Sequence, residues 1–292
     1  MFFRTDMAVE RRDLYKNANK LEDEIKGVEC EEEKVEDMNI TRVKITNSEG
    51  ERALERRMGN YITIDIKKIH NITEEKENKI IEVFSKELKS IIDKHVKPNE
   101  EILIVGLGNS YSTPDSLGTK VVENIEITRH IKIYLPNAID RNTRSVSAIT
   151  PGVLGTTGIE TVEIVKGIVD NIKPKLVIAI DSLCSKNIDR INKSIQISDT
   201  GIVPGGGVGN RQAELSNDTL GVPVIGVGIP TVLDAATIVI DTLKVCDVSI
   251  SEDEIVDKMK LNNFNFIVTP KEIDSLIENM TTIVSEGINM SF

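Results

Sequence analysis

Two aspartates follow apolar runs in a way that can bring them to one site. The run Glu101-Ile-Leu-Ile-Val-Gly106 leads through Leu-Gly-Asn-Ser-Tyr-Ser-Thr-Pro to Asp115, and Leu176-Val-Ile-Ala-Ile180 leads directly to Asp181. Such runs read as buried strands of a parallel sheet. Open α/β sheets bind ligands beyond the carboxyl ends of their strands, so the two acids can meet in one crevice. There they can share a proton, hold a water or bind a metal. The first two options are acid–base hydrolysis and the third is metal chemistry. Each acid also has a plainer reading. Asp115 follows Pro114 and precedes a helical pattern, as an N-cap would, and Asp181 can cap the next segment. Ser182 and Cys184 beside Asp181 invite a nucleophile reading, but no histidine lies near them in sequence. No His-Glu-x-x-His occurs, which excludes an ordinary zinc peptidase pattern.

The elements that must position these acids lie mostly beyond residue 100. Strand patterns at 101–106, about 131–135, 176–181 and 224–228 alternate with helical patterns at 115–128, 158–172 and 231–245, the signature of a parallel sheet. Upstream, residues 7–40 are charged and suggest a helix, then an acidic stretch from Glu29 to Asp37 that reads as a solvated edge. Thr41–Ile45 and Tyr61–Ile66 alternate apolar with polar, as half-exposed antiparallel strands do, and the polar stretch 46–60 between them reads as a loop. Apolar residues at helical spacing predict a helix over 74–95 that ends before Pro98. The tail shows helical patterns around 252–260 and 270–286. The Gly-rich stretch from Asp199 to Arg211 lacks the Gly-Lys-Ser/Thr of a phosphate loop. It reads as a mobile loop near the crevice, able to lie against an extended peptide.

The bulk composition narrows the class. The chain has 292 residues, 39% hydrophobic but only 3% aromatic and without Trp, so its core is aliphatic. A net charge of −11 argues against a broad nucleic-acid surface, because phosphates need compensating Lys and Arg. Cys30, Cys184 and Cys246 form neither a disulfide framework nor a zinc signature and fit a reducing cytoplasm. The stretch Met1–Asp6 shows no long apolar core of the kind a signal peptide has, and no stretch reaches the apolar length of a membrane span.

Ten short motifs in order resemble one family. They are Arg4-Thr-Asp-Met-Ala-Val-Glu10, Gly59-Asn-Tyr-Ile-Thr63, Val105-Gly-Leu-Gly-Asn109, Thr113-Pro-Asp-Ser-Leu-Gly118, Thr128-Arg-His130, Thr150-Pro-Gly-Val-Leu-Gly-Thr-Thr-Gly-Ile-Glu160, Ala179-Ile-Asp-Ser-Leu183, Ile195-Gln-Ile-Ser-Asp-Thr-Gly201, Gly207-Val-Gly-Asn210 and Gly228-Ile-Pro-Thr-Val232. Together they resemble the germination proteases, spore endopeptidases. The resemblance runs from residue 4 to about 245.

The resemblance implies an α/β fold: a three-layer core with a mostly parallel sheet like that of hydrogenase maturation proteases, plus an N-terminal antiparallel strand extension. It implies an atypical aspartic endopeptidase, historically filed with metallopeptidases, that degrades small acid-soluble spore proteins when germination begins. It further implies a homotetramer in the spore core, made as a zymogen that cleaves itself. The family's catalytic aspartates fall on Asp115 and Asp181. Self-cleavage falls between Asp6 and Met7, an acid, large-apolar, alanine context like that of the spore-protein substrates. Asp199, Asp234 and His130 are candidates to support the pair from behind. Family members carry small residues such as alanine at the positions of Ser182 and Cys184, which speaks against thiol chemistry. The expected organisation is a pro-segment at 1–6, N-terminal strands and helix at 7–98, a catalytic core at 99–250 and a helical tail at 251–292, integrated as one domain. No cofactor is expected, while a metal held by Asp115, Asp181 and one further ligand stays open. No direct nucleic-acid or membrane partner is expected. The competing reading is a non-enzymatic module on the same core, with the acid pair as a metal or ligand site.

Overall fold

The computed structural model describes residues 5–67, 69, 72–206, 212–248, 250–264 and 266–292. The chain begins with α1 (Ala8–Asn19), then β1 (Val28–Val35), β2 (Met38–Ile45), α2 (Ser48–Leu54), β3 (Gly59–Ile66) and the long α3 (Glu74–His95). An alternating stretch follows: β4 (Ile102–Gly106), α4 (Leu117–Glu123), α5 (Arg129–Tyr134), β5 (Val146–Ile149), α6 (Leu154–Thr157), α7 (Thr161–Ile172) and β6 (Leu176–Cys184). Then come β7 (Ser194–Ser198), α8 (Asn217–Leu220), β8 (Val224–Asp234), α9 (Ala235–Val245), α10 (Glu252–Leu261), β9 (Ile267–Val268) and α11 (Ile273–Met290).

One sheet runs through the molecule in the order β1-β2-β3-β7-β8-β6-β4-β5, with β9 paired to β8. The pairs β8–β6, β6–β4 and β4–β5 are parallel. The pairs from β1 through β7 to β8 are antiparallel, so the N-terminal strands extend the same sheet. From β4 the chain reaches β5 on one side and later returns to lay β6 on the other. The order therefore reverses at the β4–β6 pair, where open sheets place their ligand crevice.

Alternation along the strands builds the layers. Ile178 and Ile180 of β6 and Ile102 and Ile104 of β4 join Phe84, Leu88 and Val284 of α3 and α11 in one buried cluster. Val177 and Ala179, pointing the other way, pack with Leu103, Val105, Val165 and Val169 under α7. This is a three-layer arrangement. Among the described residues no helix is long and apolar enough to cross a membrane.

The helix expected over 74–95 is α3, capped by Thr73, which accepts the Lys76 N–H. The acidic stretch forms most of β1, an edge strand whose glutamates face solvent, as edge strands use charge to block further pairing. Several expectations need correction. Residues 131–134 form the end of α5, with Leu135 as its C-cap, rather than a strand, because the place beside β4 is taken by β5. The stretch 46–60 is not all loop: Asn47 caps α2 by accepting the Glu49 and Gly50 N–H groups. Strand β3 is not half-exposed, because β2 and β7 flank it and Tyr61, Ile62, Thr63 and Ile64 are all buried. Strand β6 continues past Asp181 to Cys184, and β8 continues to Asp234, so the helix expected from 231 starts at Ala235. Pairing between these two strands beyond residue 181 is what prolongs both.

Candidate active site

Asp115 is delivered by a tight turn after β4. The Asn109 N–H donates to the Asp115 carbonyl oxygen at 2.9 Å, and the Asp115 N–H donates to Ser112 O at 2.8 Å. Gly108 makes this possible with φ +103°. A Cβ there would stand 2.0 Å from the Asp115 carbonyl oxygen. From the other side Thr231 Oγ1, on β8, donates to Pro114 O at 2.7 Å and ties the turn to the sheet. Gly118 then lets α4 lie directly on the strand ends, because a Cβ would meet Leu107 O at 2.4 Å and Ile180 O at 2.5 Å.

Asp181 lies within β6, on the face of Val177 and Ala179, and is 4% exposed. Its Oδ1 accepts the Ser182 N–H at 2.9 Å. Both aspartates line one cavity of about 620 Å³, together with Asp6 and with Val203–Gly206 of the Gly-rich stretch. That stretch therefore does border the crevice as far as Gly206, and its residues 207–211 lie outside the described residues, as do Met1–Arg4 and His70.

The electrostatics separate the pair. Burial pushes the Asp115 carboxyl up to about 6, against the Asn109 N–H, which favours the charged form. Burial raises Asp181 well above the ordinary carboxylate range, and the charges of Asp115 and Asp6 raise it further, while the Ser182 N–H opposes this. At neutral pH Asp115 is thus the readier member to ionise and Asp181 the readier to keep its proton.

Asp6 is the third acid. Its N–H donates to Cys184 O at 2.9 Å, the Cys184 N–H donates to its Oδ2 at 2.9 Å, and Gln196 Nε2 donates to its carbonyl oxygen at 3.1 Å. Arg56 stands 3.9 Å from its Oδ1. Burial raises the Asp6 carboxyl, while Arg56 and the Cys184 N–H pull the other way. Met7 is fully buried against Val9 and Leu183.

The remaining candidates sit elsewhere. Asp199 accepts the Asn60 N–H at 2.7 Å and the Asn60 side-chain amide, clamping the start of β3. Asp234 caps α9 by accepting the Ala236 N–H at 2.9 Å. His130 is exposed on α5. None of the three is among the described residues that line the cavity. Burial, followed by the charge of Asp6, pushes the Cys184 thiol up to about 12, which keeps it protonated and unreactive. Among the described residues no group of three or more His, Cys, Asp or Glu is arranged to hold a metal ion. The sequence reading missed Arg56, Gln196 and Thr231. Gln196 and Thr231 fall inside motifs of the resemblance, Thr231 at the start of an expected helix, but neither was given a role, and Arg56 lies in a stretch read as loop.

The germination protease family model matches residues 5–258. A germination protease of Clostridium acetobutylicum is 44% identical over 99% of this chain and 94% of its own length. One of Caldanaerobacter subterraneus subsp. tengcongensis is 44% identical over 99% and 93%, and one of Bacillus cereus is 36% identical over 98% and 92%. A [NiFe] hydrogenase maturation protease, HycI of Thermococcus kodakarensis, aligns with 68% of this chain and 98% of its own at 15% identity. Its TM-score of 0.34 is too low to bear on fold or function.

Proposed function

This chain belongs to the germination protease family, and we propose that Asp115 and Asp181 are the catalytic pair with which it hydrolyses peptide bonds. The observation that carries this is the placement of two acids on one cavity with unequal proton affinities. Ionised Asp115 takes a proton from a water as its oxygen attacks the amide carbon. Protonated Asp181 donates to the carbonyl oxygen, which becomes a hydroxyl in the tetrahedral intermediate. The C–N bond then breaks, with the proton held by Asp115 passing to the leaving amine, and Asp181 recovers its own as the carbonyl re-forms. The substrates are small acid-soluble spore proteins, cleaved in the spore core by a homotetramer. A non-enzymatic module is not favoured, since the family is one of peptidases.

The form that still carries Asp6 ahead of Met7 is the zymogen, and cleavage between Asp6 and Met7 activates it. The segment ahead of Met7 obstructs the site because Asp6 itself lies against the cavity. The test incubates the purified chain at mildly acidic pH and then with a small acid-soluble spore protein, with and without chelator, and sequences the new N-termini. Fragments that begin after an acidic residue, lost in both Asp115→Asn and Asp181→Asn while the fold is kept, support the reading. Full activity in both variants overturns it.

A further inference from the structure

Four separate contacts converge on one residue of the N-terminal segment. Cys184 grips the Asp6 backbone through its carbonyl and the Asp6 carboxylate through its N–H, Gln196 holds the Asp6 carbonyl, and Arg56 faces the carboxylate. Arg56 also donates to Thr5 O at 2.7 Å, so its guanidinium hydrogen bond and its ion pair both go to residues ahead of Met7. Asp6 stands between two spaces. One is the cavity with Asp115 and Asp181, and the other, of about 210 Å³, is lined by Arg56, Gln196 and Leu183. Met7 is different: its apolar pocket is filled by a residue that stays with the chain after processing.

We propose that the Asp6 cradle, formed by Arg56, the Cys184 backbone and Gln196, becomes the enzyme's subsite for an acidic side chain immediately before the cut bond. This rests on the reading of Asp6–Met7 as the processing bond and of the pair as a peptidase. Processing withdraws Asp6 and joins the two spaces into one groove. The substrate's backbone then takes the place of Asp6 beside Cys184, as an added strand does. Its carboxylate takes the place facing Arg56. The chain's own segment is in this sense the first occupant of the specificity site, and Arg56 is the residue that reads charge.

Two measurements test this. The first uses full-length chain after its own processing at mildly acidic pH. It compares cleavage of a peptide spanning residues 2–12 of this chain with that of its Asp6→Asn counterpart. Wild type is expected to prefer the acidic peptide about tenfold or more, the scale of a hydrogen-bonded charge. Arg56→Gln is expected to bring the ratio near one, chiefly by slowing cleavage of the acidic peptide. A wild type that cuts both peptides equally, or a ratio unchanged in Arg56→Gln, overturns the subsite while leaving the peptidase reading intact. A wild type that cuts neither overturns the peptidase reading instead.

The second measurement needs no activity. In full-length chain, Arg56→Gln should lower the unfolding temperature by about 2 °C or more beyond its effect in an Asp6→Asn background. Equal effects in the two backgrounds show that Arg56 does not hold this carboxylate, and the proposal falls.

Discussion

Glu10 and Asp181 are both 4% exposed, yet the protein treats them in opposite ways. The Glu10 carboxylate, in the first turn of α1, accepts the Ser185 hydroxyl, the Lys186 N–H at 2.7 Å, the Asn187 N–H at 3.2 Å and Arg190 at 3.4 Å. Thr5 Oγ1 donates to it as well. Asp181, only four residues before Ser185, accepts the Ser182 N–H and otherwise faces an open cavity and two more acids. A buried charge supplied with donors is an anchor. One surrounded by like charge keeps its proton and can give it away. Burial alone therefore does not distinguish a structural acid from a chemical one, whereas the count of donors does.

Neutralising each acid should have opposite consequences. Asp181→Asn should lower peptide cleavage about 10²–10⁴-fold, the range for a lost acid–base group, with circular dichroism unchanged. Glu10→Ala should do the reverse. It strips five donors of their acceptor and should destabilise the fold by about 3–5 kcal/mol in chemical unfolding. The activity of the fraction still folded should be retained.

A smaller effect is expected at Asp115, the other acid of the cavity, in the response of stability to pH. Asp115 has a folded value near 6, above its unfolded value. Its contribution to stability is fully present below about pH 4 and is lost as pH rises through about 6. The unfolding temperature of Asp115→Asn relative to wild type should therefore climb over that window. A constant difference from acid to neutral pH would contradict the raised value. Smallest of all, Asp234→Ala should cost about 1 kcal/mol, the worth of a helix cap. His130→Ala should stay within about 0.5 kcal/mol. Both should leave the rate of spore-protein cleavage unchanged.

The parallel strands β4 and β6 and helix α3 were legible because their residues obey one pattern along a whole element. Ile102–Val105 and Leu176–Ile180 are continuous apolar runs, and Ile80, Phe84, Leu88 and Ile91 follow a helix face. The two acids were legible because they sit where those runs end. What escaped is decided by partners distant in sequence. Ile131, Ile133 and Leu135 alternate as a strand does, but Ile133 is 51% and Leu135 61% exposed in and just beyond α5, because β5 occupies the sheet position. Arg56 gives no sign in a polar stretch of having Asp6 as its partner, fifty residues earlier. Asp199 carried a motif like those of the acid pair, yet its oxygens are taken up by Asn60, and only the fold reveals that.

The proposed mechanism has Asp115 ionised and Asp181 protonated. Its most direct test is the pH dependence of kcat/KM for the processed chain cutting a small acid-soluble spore protein. With Asp115 as base the rate rises with a midpoint of about 6 as Asp115 ionises, the acidic limb disappears with residual activity in Asp115→Asn, and the rate falls only at higher pH where Asp181 loses its proton. A rate that is flat or falls between about pH 5 and about pH 7, or an Asp115→Asn variant that keeps the wild-type profile, would contradict it.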